Sequence, residues 1–279
     1  MAEETARPNQ AAKATAFRAL HEKPGLFVLP NPWDAGTARI LAGLGYPALA
    51  TTSAGCAFGL GRRDGGGRVS RAEALDNARL IVAATDLPVA GDLENGYGDT
   101  PEACAETIRA AAAAGLVGGS IEDATGRDAD PIYPIEQAAE RVAAAAEAAR
   151  ALPFDFMLAG RPENYLHGRR DLDDTIRRLQ AYERAGADVL YAPGLTDLEE
   201  IRAVCAAVTK PVNVLGGIGP HPLPLAELEA AGVKRVSLGS VFLNATIGAF
   251  LRAAREVREQ GTFCFSEEAA TAADFKGFL

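Results

Sequence analysis

The sequence predicts one closed (β/α)8 barrel. Three observations support it: eight short apolar runs alternate with eight helical runs, no Gly-rich fingerprint follows the first run, and 279 residues suit one such barrel. A helix at Gln10 to Glu22 leads in. Strand-like runs follow at Leu26–Leu29, Ala48–Thr52, Pro88–Gly91, Gly118–Ile121, Phe156–Ala159, Val189–Tyr191, Val212–Leu215 and Val236–Leu238. Helical runs lie between and after them, at Ala35–Leu44, Arg71–Ala84, Pro101–Ala114, Ile135–Ala149, Leu172–Ala185, Leu198–Val208, Leu223–Ala231 and Leu243–Gln260. Gly115, Gly186 and Gly232 stand where helices stop, because glycine tolerates the left-handed turn that ends them. The alanine runs Ala110–Ala114 and Ala143–Ala149 read as ordinary helix. No linker divides the chain, so 1–279 is read as one domain: 1–25 as the lead-in, 26–242 as strands and loops, 243–279 as the last helix and a tail.

Composition narrows the partners. A hydrophobic share of 48% supports a large core, and the net charge of −9 comes without a basic block. Nucleic acid and anionic membranes are therefore not expected, and a small molecule is. No apolar run approaches a membrane span and the start, Met1 to Thr5, has no signal-peptide core, so a cytoplasmic protein is expected. Cys56, Cys104, Cys205 and Cys264 are widely spaced and read as reduced thiols, not as a zinc or disulfide framework. The tail carries Phe263, Phe265, Phe275 and Phe278, more aromatics than a free end needs. It is expected to pack on a neighbouring subunit or on the barrel's own bottom face.

Barrel chemistry sits where strands end, and these ends are acidic. Asp92 and Glu94 close the third strand, Glu122 and Asp123 the fourth, and Arg161 with Glu163 the fifth; Asn31 and Asp34 follow the first, and Asn213 lies in the seventh. Residues i and i+2 of a strand share a face, so Asp92 and Glu94 are expected to project together. Carboxylates so placed repel unless a cation, a shared proton or water relieves them, and a hard ion such as Mg2+, with Mn2+ as substitute, suits oxygen ligands. Alternative readings remain at this point: helix-start acids, a rim salt bridge at Arg161, or solvated turn residues.

The ordered motifs Asn31-Pro-Trp-Asp-Ala35, Thr51-Thr-Ser-Ala-Gly55 with Arg63-Asp64, Gly91-Asp-Leu-Glu-Asn-Gly-Tyr-Gly98, Ile121-Glu-Asp123 and Ala159-Gly-Arg161 resemble those of the isocitrate lyase/phosphoenolpyruvate mutase superfamily, over Asn31 to about Gly261. The resemblance implies a magnesium-dependent barrel that makes or breaks a bond beside a 2-oxo acid, commonly as a homotetramer with its last helix swapped. It implies Asp92 as the main metal carboxylate, Glu94 and Glu122 on metal-bound waters, and a more distant contact from Asp64. Ser53, Ala54 and Gly55 would hold the substrate carboxylate, Trp33 would form an apolar wall, and Arg161 and Asn213 would balance charge and donate. Cleavage beside a carbonyl leaves an enolate, whose charge a metal and Arg161 stabilise.

Two family loops are missing. The Lys-Lys/Arg-Cys-Gly-His loop of the isocitrate and methylisocitrate lyases is absent, and the mutase gating segment with its Lys and Asn-Ser is replaced by Ala124-Thr-Gly-Arg-Asp-Ala-Asp-Pro131. The expectation is a C–C lyase or decarboxylase on a small 2-oxo or 2-hydroxy di- or tricarboxylate, with Tyr97, Tyr165 and His167 as candidate proton donors. A P–C bond mutase or hydrolase and a non-catalytic oxo-acid binding protein are the alternatives. So is a phosphosugar enzyme, from the glycine loops Leu215–Gly219 and Leu238–Ser240.

Overall fold

Eight parallel strands form the barrel in this computed structural model, which describes residues 8–279. The reading of Met1–Thr5 lies outside them. The strands are β1 Phe27–Leu29, β2 Leu49–Ala50, β3 Val89–Asp92, β4 Gly118–Glu122, β5 Met157–Arg161, β6 Val189–Ala192, β7 Val212–Leu215 and β8 Arg235–Ser237. They pair in the order β1-β8-β7-β6-β5-β4-β3-β2, and the Ala50 N–H, donating to the Pro30 carbonyl at 3.0 Å, closes the seam between β1 and β2.

The helices are α1 Gln10–Glu22, α2 Ala35–Gly43, α3 Ser53–Gly59, α4 Arg71–Ala84, α5 Pro101–Ala113, α6 Ile135–Arg150, α7 Leu172–Ala185, α8 Leu198–Ala207, α9 Leu225–Ala230, α10 Val241–Gln260 and α11 Ala272–Phe275. Local chemistry sets their starts. Asp34 and Thr37 form a capping box on α2, Ser70 and Glu73 another on α4, and Thr100 caps α5 with Pro101 in its first turn. The alanines that read as plain helix have a packing role. Ala111 and Ala112 of α5 and Ala145, Ala146 and Ala149 of α6 are all buried, and small side chains let helices lie close on the sheet.

Helix α1 closes the bottom of the barrel: Ala14 and Phe17 share a cluster with Phe27, Leu29, Ala50, Ala90, Met157, Ala159 and Val189, which reach it from five strands. The top is left open to the loops. The tail turns back on the protein's own helix layer, where Phe278 packs against Gly43 of α2 and the Leu279 carbonyl accepts from Arg39 Nη1 at 2.7 Å. Helix α10 behaves differently. Of its residues only Leu243 is buried, and Phe250 stays 70% exposed.

Candidate active site

The strand ends enclose two adjoining chambers that share Ser53, Asp64, Arg161 and Leu166. The inner one, about 300 Å³, runs down into the barrel past Asp92 and Tyr191 to Arg235. The outer one, about 220 Å³, lies beneath Gly65–Gly67 and Gly126 and is lined by Glu94, Glu122, Glu163 and His167.

Arg161, the last residue of β5, is the hub. Its Nη1 lies 3.4 Å from Asp92 Oδ1 and 3.3 Å from Glu122 Oε2, its Nε donates to Glu163 Oε1, and its guanidinium stands 5.1 Å from the centre of the Tyr191 ring. Burial opposes its charge, but Glu163, Glu122 and Asp92 outweigh burial and hold the pKa well above the ordinary arginine value. The carboxylates are strained in the opposite sense. Burial, then Asp92 and Asp64, push Glu94 up to about 7; burial raises Glu122 well above its usual range; burial and then Asp92 raise Asp64; Glu163 is raised to about 7, chiefly by burial. One arginine does not satisfy this many acids. Such a set favours a bound cation.

Asp92 ends β3 facing the inner chamber, fixed by the Ser53 N–H, which donates to its Oδ2 at 2.9 Å, while its own N–H donates to Thr51 Oγ1. Glu94 does not follow from strand alternation as the sequence led us to expect. The strand has already ended, and Glu94 sits in a left-handed turn, φ +45°, with Tyr97 at φ +57° three residues on. This strain is held by the surroundings. The Glu122 N–H donates to the Glu94 carbonyl at 3.0 Å, and Arg141, buried in α6, donates to the carbonyls of Gly98 (2.8 Å) and Asn95. Sequence reading missed Arg141; an arginine inside an Ala-rich helix run was its one visible signal.

Glu122 and Asp123 are neighbours with different surroundings. Glu122 lines the outer chamber, whereas Asp123 points into the helix layer. It accepts from Arg178 Nη1 (2.8 Å), Tyr182 Oη (2.6 Å) and the Glu163 N–H (2.8 Å). It fixes the segment that presents Glu163 to Arg161.

Ser53, Ala54 and Gly55 are the first turn of α3, capped by Thr52, and not an open loop. Ser53 and Ala54 line the inner chamber and Ser53 Oγ lies 3.5 Å from Asp64 Oδ2, but the Ser53 N–H is already taken by Asp92. Gly55 is needed for packing. A Cβ there would stand 2.5 Å from Trp33 Cβ and 2.7 Å from Thr52 Cγ2. Trp33 thus packs against α3 and is not among the residues lining either chamber. Asn213 is also off the chamber walls: fully buried on β7, its Nδ2 donates to Ser237 Oγ at 3.0 Å. Asn31, by contrast, lines the inner chamber and ties the loops of three strands, its Oδ1 accepting from the Leu238 and Gly239 N–H groups and its Nδ2 donating to the Thr51 carbonyl.

Of the three candidate proton donors, His167 lines the outer chamber, while Tyr165 is bonded to Glu200 and Tyr97 is half-buried with an unpartnered hydroxyl. Segment 124–131 is tied down as a small hairpin, with Thr125 N–H donating to the Pro131 carbonyl at 2.8 Å. Its Arg127 pairs with Asp99 at 2.9 Å on the outside, so it brings no cation to the chambers. Of the glycine loops, Gly239 and Ser240 reach the inner chamber and Gly216–Gly219 do not.

Among the described residues, no three acidic, His or Cys side chains form a ready metal cage. Mg2+ keeps several waters and takes only one or two protein carboxylates. The raised carboxyl pKa values and the direct exposure of Asp92 to the chamber fit such an ion.

A family model for phosphoenolpyruvate phosphomutase matches residues 17–258. A solved structure from Burkholderia cenocepacia J2315, assigned provisionally as a lyase/mutase, is 60% identical with a TM-score of 0.93, covering 96% of each chain. The uncharacterized protein Rv1998c of Mycobacterium tuberculosis is 34% identical over 88% of this chain and 89% of its own. Oxaloacetate decarboxylase of Bradyrhizobium diazoefficiens is 31% identical over 80% of this chain and 79% of its own.

Proposed function

This chain belongs to the phosphoenolpyruvate mutase family of the isocitrate lyase/phosphoenolpyruvate mutase superfamily, whose members are lyases and mutases, and from that premise we propose that it is a magnesium-dependent carbon–carbon lyase. Its substrate is a small 2-oxo or 2-hydroxy di- or tricarboxylate, with oxaloacetate-type decarboxylation as the nearest reaction. One observation carries this reading: Arg161 bridges Asp92 and Glu122 at the mouth of a chamber sized for a few-carbon acid.

Asp92 would hold the cation directly, with Glu94 and Glu122 on its waters and Asp64 further out. When bound, that ion supplies electrostatic stabilisation to negative charge developing on the oxygen of the oxo acid. The protein's own groups do the rest. Arg161, fixed by Glu163 and stacked on Tyr191, places a permanent charge beside the same oxygen, preorganised and partly desolvated. Ser53 offers a hydroxyl to the substrate carboxylate from the inner chamber wall. His167 lies on the outer chamber, where it delivers a proton to the carbanionic carbon directly or through water.

Carbon–carbon chemistry is favoured over P–C chemistry because segment 124–131 points its one arginine outward to Asp99 and offers the chamber no cation for a transferring phosphoryl group. The exposed apolar residues of α10, Phe250, Leu251 and Val257, support a homo-oligomer in which this helix is covered by a second copy.

The test is a screen with Mg2+ of oxaloacetate, isocitrate, 2-methylisocitrate, 2,3-dimethylmalate and phosphonopyruvate, with Asp92→Ala as control. Pyruvate or glyoxylate release, lost in the control, supports the proposal. Phosphate release from phosphonopyruvate alone, or turnover undiminished by Asp92→Ala, refutes it.

A further inference from the structure

The lumen beneath the metal-side residues is built unlike a packed barrel core. Barrel interiors are ordinarily filled with layers of bulky branched side chains. Here Ala50, Ala90 and Ser120 line the inner chamber on β2, β3 and β4, and the space they leave open descends to Arg235 on β8.

Arg235 is 5% exposed, and its Nε has no hydrogen-bond partner. Among the described residues no carboxylate pairs with it, and its one hydrogen-bond partner is His21 Nε2 of α1, 3.3 Å from Nη1. His21 Nδ1 lies 2.9 Å from the Phe17 carbonyl, an acceptor only, so Nδ1 carries the proton and Nε2 offers its lone pair to Arg235. Burial, then Arg235, keeps His21 neutral, its pKa lowered to about 3. His21 therefore orients the guanidinium without neutralising it. Phe17 and Phe27 clamp the imidazole edge-on at 4.8 and 5.0 Å.

A buried, uncompensated cation is unfavourable unless an anion joins it. The chamber supplies the place for one. Tyr191 interacts with both arginines: its ring is stacked under Arg161, and both Arg161 and Arg235 draw down a hydroxyl pKa that burial pushes up to about 12. One chamber thus has an acid-and-arginine end at Asp92 and Arg161 and a purely cationic floor at Arg235, with the Ser237 hydroxyl on the same wall.

We propose that Arg235, oriented by His21 from the plug helix, is a specificity-determining subsite that takes the far carboxylate of a dicarboxylate whose oxo-acid end binds at Asp92 and Arg161. The subsite rests on the oxo-acid reading of the upper site and adds to it a requirement for a second acidic group. Arg235 selects substrates and His21 positions Arg235.

Calorimetry with Mg2+ present tests it, using oxalate, which has no far carboxylate beyond the upper site, and malate, which does. For the parent protein both acids bind. Arg235→Met weakens malate about tenfold or more, the loss of one charge-assisted hydrogen bond, and leaves oxalate within about twofold. Arg235→Lys recovers part of the malate affinity, and ligand-free Arg235→Met melts higher than the parent because the unpaired charge is gone. An unchanged malate affinity in Arg235→Met, or an equal loss for both acids, overturns the subsite while leaving the upper site standing. Failure of the parent to bind either acid overturns both.

Discussion

Adjacent residues Glu122 and Asp123 should respond in opposite ways to loss of charge. Asp123 has a side chain 1% exposed and accepts three hydrogen bonds, from Arg178, Tyr182 and the Glu163 backbone. In Asp123→Asn the amide cannot accept all three, and the buried Arg178 loses its anion. Breaking one side of a buried pair costs about 3–5 kcal/mol; Arg178 keeps Asp174 at 2.7 Å and the Tyr133 carbonyl at 2.9 Å, which places the loss near about 3 kcal/mol. At about 2–4 °C per kcal/mol for a chain of this size, the midpoint falls about 6–12 °C. Glu122→Gln removes a charge that burial already disfavours, and Arg161 keeps Asp92 and Glu163, so stability changes by less than about 1 kcal/mol. Its turnover falls about 10–100-fold, as for outer-shell groups at metal sites. Thermal and urea denaturation, with turnover on the substrate found by screening, read both effects. An Asp123→Asn midpoint within about 2 °C of the parent, or Glu122→Gln destabilised as far as Asp123→Asn, would falsify the division between structural and functional acid.

Three further perturbations follow from the same geometry. Arg161→Lys keeps the charge but loses the fork that reaches Asp92, Glu122 and Glu163 together, so turnover drops on the order of 100-fold; an unchanged rate removes Arg161 from the reaction. Glu94 and Glu163, both at about 7 when folded against 4.5 as their ordinary value, hold protons that the unfolded chain has already released between those pH values. The metal-free protein therefore loses stability as pH rises from about 4.5 to about 7, and Mg2+ binding at pH 6 expels protons that it does not expel at pH 8.5; calorimetry in buffers of different ionisation enthalpy detects the release, and equal release at both pH values contradicts the raised carboxyls. Gly55→Ala drives a methyl into Trp33 and Thr52, lowering stability by about 1–3 kcal/mol, and a neutral result in chemical denaturation would show that this contact relaxes freely.

What the sequence revealed and what it hid divide along the range of the interactions. Helix starts such as Ser70 with Glu73 and Thr100 with Pro101 are local, and α4, α7 and β7 lie where the pattern put them. Arg161 was visible because it ends a strand, and strand ends are where barrel loops converge. Glu94 was placed by the two-residue alternation of a strand, but its carboxylate reaches the group through a left-handed turn, braced by Arg141 from a helix more than forty residues away. Ser53–Gly55 drew attention through the family resemblance; that its glycine also makes room for Trp33 is a contact no spacing rule contains. Arg235 lay at the start of an apolar run and attracted no notice, since a basic residue at a strand start usually reaches solvent at the barrel's bottom rim. Helix α1 changes that. By plugging the bottom with Phe17 and His21 it removes the solvent Arg235 would otherwise reach and holds the guanidinium by one nitrogen at the chamber floor. The lead-in helix, which any pattern reading treats as peripheral to a barrel, thus decides the charge at the floor of the site.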